Sequence, residues 1–99
     1  MRVISLRPLR DFWERFPDAE VPLRKWYRVA LAAEWRSLAE VRTSYPQADA
    51  VGSGESTVTV FNIGGNKYRL IARIKYTHQL VNVRHVLTHR EYDRGDWKE

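Results

Sequence analysis

The sequence predicts an α+β domain: an N-terminal strand and two or three helices packed on one face of a mainly antiparallel sheet. Three observations predict it. Apolar residues recur at helical spacing through the first half of the chain. From Thr57 onward the period changes to two, over three successive runs. Gly64-Gly65-Asn66 separates the first two of those runs, and adjacent glycines reach the positive φ that a tight hairpin demands. The 99 residues, 43% hydrophobic with four Trp, five Tyr and three Phe, suit one domain with one small core.

Val3, Ile4 and Leu6 read as a short opening strand. Pro8 fits a helix start, where its missing N–H is no loss. Leu9, Phe12, Trp13 and Phe16 then form an apolar helix face that Pro17 ends. Asp18 is placed to cap a second helix, with Pro22 in its first turn. Leu23, Trp26, Tyr27, Ala30, Leu31 and Trp35 would be its buried side. Ser37-Leu38-Ala39-Glu40 has capping-box spacing for a short third helix, which Pro46 stops.

Residues 46–56 read as turn and loop. Strands are expected at Thr57 to Ile63, Lys67 to Tyr76 and Leu80 to Leu87, with a turn at Thr77-His78-Gln79. The polar tail from Thr88 has room for one helical turn before Gly95. The opening strand is expected beside one of the later strands. There is no internal repeat and no sign of a second domain.

Charge is unevenly placed. The net charge is +5, yet no Asp or Glu occurs from Ser56 to Arg90, a stretch with six Lys or Arg and all three histidines. Such a surface attracts a polyanion, RNA or DNA above all. Histidines add groups that exchange protons near neutrality. The lack of cysteine excludes disulfides, thiol nucleophiles and Cys-based zinc sites. No cofactor is expected, and the histidine spacing is not that of zinc proteases. No membrane-length apolar run or signal-peptide pattern is seen, so the cytoplasm is the expected compartment.

On the strand Lys67–Tyr76, alternation puts Tyr68, Leu70, Ala72, Ile74 and Tyr76 on one face. Lys67, Arg69, Arg73 and Lys75 fall on the other, interrupted only by Ile71. Without a compensating carboxylate, that strip reads as a phosphate-binding surface rather than a merely solvated one. A two- or four-residue hairpin loop would bring Asn82 and Arg84 beside Arg69 and Arg73. A three-residue loop would bring Val81, Val83 and His85 there instead. His89, Arg90 and Tyr92 follow the last strand, and His78 sits in a turn.

Two strings carry a resemblance: Val60-Phe61-Asn62-Ile63-Gly64-Gly65-Asn66-Lys67-Tyr68-Arg69-Leu70 and Val86-Leu87-Thr88-His89-Arg90-Glu91-Tyr92-Asp93. Here the chain resembles the HigB toxins of bacterial toxin–antitoxin pairs, within the wider RelE-like superfamily. The resemblance is close over residues 58–94 and looser over the helices. It implies a RelE-like toxin that cuts messenger RNA, usually on the translating ribosome. It also implies inactivation by a HigA-like helix-turn-helix antitoxin, the complex binding operator DNA. Arg69 matches the arginine of the family's strand motif. His89, Arg90 and Tyr92 match its C-terminal pattern, with one residue fewer between Arg90 and Tyr92.

The expected reaction is metal-independent attack of a 2′-OH on the adjacent phosphate. Arg69 and Arg73 would supply positive charge, and His89 a base or acid, with Tyr92 as its partner or as a stacking surface. Lys67, Lys75, Arg84 and Arg90 would hold the RNA backbone. Arg69→Ala is expected to stop cleavage and leave the fold intact. The alternatives are a ParE-like toxin that is not a nuclease and a non-catalytic RNA-binding domain.

Overall fold

The computed structural model describes residues 1–98. In chain order these form β1 (Arg2–Ile4), α1 (Arg7–Arg15), α2 (Glu20–Ala32), α3 (Leu38–Ser44), β2 (Asp49–Val51), β3 (Val58–Ile63), β4 (Tyr68–Lys75), β5 (Leu80–Thr88) and α4 (His89–Arg94). Short 3₁₀ turns occupy Pro17–Ala19, Gly54–Ser56, Tyr76–His78 and Asp96–Lys98. The five strands make one sheet in the order β1-β5-β4-β3-β2. All neighbours are antiparallel except β1, which runs parallel to β5, Val3 facing Val81. The expected α+β architecture is therefore the observed one.

α1 buries Leu9 and Phe12, and α2 buries Leu23, Trp26 and Ala30, each set at helical spacing along one face. Phe61 on β3 is the hub beneath them. Its ring lies 5.5 Å from Trp26, 5.4 Å from Tyr45 and 6.1 Å from Trp35. Phe12 and Tyr68 meet edge-on at 5.1 Å. Such offset and edge contacts suit the ring quadrupole.

Some expectations change. α2 stops at Ala32, and Trp35 enters the core from the connection after it. Leu31 stays 44% exposed, because it lies about 100° around the helix from Ala30. Asp18 caps no helix; it lies in the 3₁₀ turn between α1 and α2 and binds the β3–β4 hairpin instead. Ser37 does cap α3, accepting from the Glu40 N–H, but the Glu40 carboxylate takes the N–H of Arg36. β2 forms where a loop was expected, pairing Asp49 with Val60 and Val51 with Val58. The C-terminal helical turn is real, and Thr88 and Glu91 close a full capping box at its start.

Gly64 and Gly65 both hold positive φ, 62° and 71°, and turn β3 into β4. The β4–β5 loop has four residues, since Lys75 pairs with Leu80. Arg73 accordingly pairs with Asn82. Farther along, however, Ala72 pairs with Val83 and Ile71 with His85, leaving Arg84 as the extra residue of a β-bulge. Both registers weighed from sequence are thus present in part: Asn82 near the turn, His85 beyond the bulge.

Candidate RNA-binding and catalytic face

α1, α2 and α3 cover one side of the sheet. Arg69, Ile71 and Arg73 project from β4 on the other side, where Tyr92 and Trp97 fold back toward them. Val60 and Ile71 are buried there, outside the main core. They give this face an apolar floor between cationic groups.

At one end of the face lies the motif cluster. Arg69 is only 8% exposed. Its guanidinium donates to the carbonyls of Asn66 (3.2 Å) and Tyr68 (3.1 Å) and to the Asn66 side chain (2.7 Å). It also lies 5.4 Å from the centre of the Tyr92 ring, a cation–π distance. Tyr92 stacks on Trp97 at 5.1 Å, and the Trp97 indole N–H donates to the Tyr92 carbonyl. The expectation of a freely projecting Arg69 is therefore revised: the side chain ties the hairpin turn and supports Tyr92.

His89 opens α4, exposed, with its Nδ1 3.0 Å from an Asp93 carboxylate oxygen one turn later. That carboxylate was not anticipated as a partner. Positions 89, 92 and 93 share one side of the helix, so α4 presents a His–Asp pair beside the clamped tyrosine. Arg90 is exposed on the same helix.

At the other end a groove of about 410 Å³ opens between β2, β4, β5 and the C-terminal turn. Arg73, Arg84, His85, Trp97 and Lys98 line it, and among the described residues no carboxylate does. The bulge brings Arg84 and His85 into this lining together. Burial, helped by the neighbouring Arg84, holds the His85 pKa below the usual imidazole value, so the ring is neutral at physiological pH. The Arg73 Nε is buried without a hydrogen-bond partner. Lys75 is exposed near the end of β4 and lines a neighbouring depression with Arg73.

Lys67 departs from the expected strip. It precedes β4, and its ammonium pairs with Asp18, drawn toward the helix layer and over the Tyr68 ring. Tyr68 donates to the other Asp18 oxygen at 2.6 Å. Hydrogen bonds from Lys67 and then Tyr68 hold the Asp18 carboxyl below its ordinary pKa, and Asp18 raises that of Lys67. Sequence reasoning paired no acid with Lys67 because Asp18 lies 49 positions away. Trp97 and Lys98 were also missed, although a lone tryptophan in a polar tail is itself a signal.

Comparison with known proteins decides the family. The family described as HigB toxin, the RelE-like toxic component of a toxin–antitoxin system, matches residues 19–95. The chain belongs to the HigB toxin family. Relatives agree along nearly their whole length. An mRNA interferase HigB from Escherichia coli O6:H1 (strain CFT073) is 30% identical over 94 residues, 95% of this chain and 90% of the relative. The mRNA interferase toxin HigB of Escherichia coli K12 is 27% identical over 93 residues, 94% of this chain and 88% of that protein. The mRNA interferase HigB of Shigella flexneri has the same identity and coverage. Membership implies an antitoxin as partner. Among the described residues no helix is long and apolar enough to cross a membrane.

Proposed function

We propose that this HigB family member is an endoribonuclease that cuts messenger RNA, acting on the translating ribosome and held in check by a HigA-like antitoxin. One observation carries the reading. The two strings that resemble the family, distant in sequence, supply neighbours in space: Arg69 from the first lies against Tyr92 from the second. The His89–Asp93 pair stands on the same short helix, and the cationic groove continues the surface.

The chemistry follows from the residues. Cleavage by a 2′-OH needs a base for its proton, an acid for the leaving 5′-oxygen and positive charge on the phosphorane-like oxygens. The Asp93 carboxylate, 3.0 Å from the His89 Nδ1, favours a proton on that nitrogen and leaves Nε2 to act as the base. The Tyr92 hydroxyl is the partner acid, its ring fixed between Arg69 and Trp97. Arg69 supplies the positive charge beside Tyr92, and Arg73, Arg84, Lys75 and Arg90 extend a track for the RNA backbone along the strand. All these groups are side chains of this protein, so the route runs without a metal. The products are a 2′,3′-cyclic phosphate and a 5′-OH.

The test is induced expression followed by mapping of transcript 5′ ends, with and without the co-expressed antitoxin. New ends inside open reading frames, absent when the antitoxin is present, are expected. His89→Ala lowers cleavage by roughly 10²–10⁴-fold. Growth arrest with intact transcripts and damaged DNA would instead mark a ParE-like toxin.

A further inference from the structure

The groove beyond the motif cluster has features that cleavage chemistry does not use. Arg73 lines it while its Nε is buried and unpaired. Buried donors are nearly always satisfied; among the described residues the core Trp26 Nε1 is the other exception, and Arg73 is the one that borders a groove. Arg84 and Lys98 add positive charge around the same space, beside the neutral His85, and no carboxylate among the described residues lines it. An anion is the matching guest, and the flat guanidinium groups suit phosphate oxygens.

The wall opposite is aromatic. Trp97 is stacked on Tyr92, ring centres 5.1 Å apart and planes within 13°, and Tyr92 is backed in turn by the Arg69 guanidinium. Trp97 also lines the groove. The ammonium of the exposed Lys98 also lies over the indole, 5.7 Å from its ring centre, so a base that stacks on Trp97 from the groove takes the place of that side chain. The volume, about 410 Å³, lies within the roughly 300–1,000 Å³ usual for small-ligand sites.

We propose that this groove binds one nucleotide of single-stranded RNA outside the cleaved bond, its phosphodiester on Arg73 and Arg84 and its base stacked on Trp97. The inference rests on the RNA reading above and adds to it a subsite, a stacking platform and a positioning role for residues that neither motif contains. Trp97 and Lys98 lie beyond the family match, which ends at residue 95. His85, kept neutral by burial and by Arg84, can donate and accept hydrogen bonds toward the ribose or the base edge. Stacking tolerates any base, so the subsite strengthens binding without dictating sequence.

The experiment measures binding with cleavage removed. Purified protein is titrated with a 2′-O-methyl RNA trinucleotide, which lacks the attacking hydroxyl, by calorimetry and tryptophan fluorescence at several salt concentrations. The wild type binds with quenching. Trp97→Leu weakens binding by roughly five- to a hundred-fold, the range expected for one lost base stack, while Trp97→Tyr stays within about three-fold. Arg84→Gln, at an exposed position where the fold is insensitive, lowers affinity and reduces the salt slope by about 0.7. Wild-type affinity in Trp97→Leu, or an unchanged salt slope in Arg84→Gln, overturns the proposal. If transcripts are cut in cells but these variants bind normally, the subsite alone is wrong. If the trinucleotide binds as expected while transcripts remain intact, the nuclease reading is wrong.

Discussion

Replacing Arg69 tests whether this side chain is a structural tie as well as part of the site. Arg69→Ala removes three hydrogen bonds from a charged donor, two to carbonyls and one to the Asn66 side chain, and the cation–π contact with Tyr92. Charge-assisted bonds are worth about 1.5–3 kcal/mol each in favourable cases, but three bonds from one guanidinium share its charge and are not additive. A combined loss of about 3 kcal/mol is the reasoned figure, including a cation–π share of about 0.5–2 kcal/mol. For a domain of this size that lowers the melting temperature by about 12 °C or more. Arg69→Lys keeps the charge but not the planar fork, and falls between. Calorimetric melting of the three proteins at equal concentration is the assay, with cleavage measured well below each midpoint. An Arg69→Ala protein melting within about 2 °C of wild type would refute the structural role and restore the simpler picture of a surface phosphate ligand.

Three further outcomes follow from the packing and the titrating groups. Asp18 has a lowered folded pKa, so its contribution to stability is fully present above the ordinary value of 3.8 and is lost as pH falls through the lower folded value. The melting advantage of wild type over Asp18→Asn therefore shrinks as the buffer is taken below pH 3.8. His85 has a lowered folded pKa, so the unfolded chain binds its proton first and stability rises with pH through the region below 6.5. His85→Gln flattens that part of a melting profile recorded between pH 5 and 8. Phe61→Ala leaves the Trp26, Trp35 and Tyr45 rings facing a void and costs about 3–5 kcal/mol, readable by urea denaturation.

The helices and strands with strong periodicity were legible in the sequence, because a core-facing stripe repeats visibly at i, i+3, i+4 and i+7 or at every second position. Leu9 and Phe12, Leu23 and Trp26, and the run Tyr68, Leu70, Ala72 are examples. β2 was not legible: Asp49-Ala50-Val51 has weak strand propensity and forms only because β3 offers it an edge. The site was legible in kind but not in arrangement. Alternation correctly put Arg69 and Arg73 on the face away from the helices, but it could not foresee that Asp18 would capture Lys67. Nor could it foresee the bulge, a single extra residue that changes which side chains share a face and brings His85 in with Arg84. The His89–Asp93 pair needed only the certainty that residues 89–94 are helical, since i, i+4 spacing then follows.

β1 lies next to β5, so the strand synthesised first joins the one synthesised last. A nascent chain emerging from the ribosome can pack its helices early, but the sheet stays unfinished until β5 has been made. β5 and the residues after it also bring Arg84, His85, His89 and Tyr92. Partial translation products thus lack the proposed chemistry as well as the completed scaffold. Closing so wide a loop is the slow step expected of a topology with distant pairings.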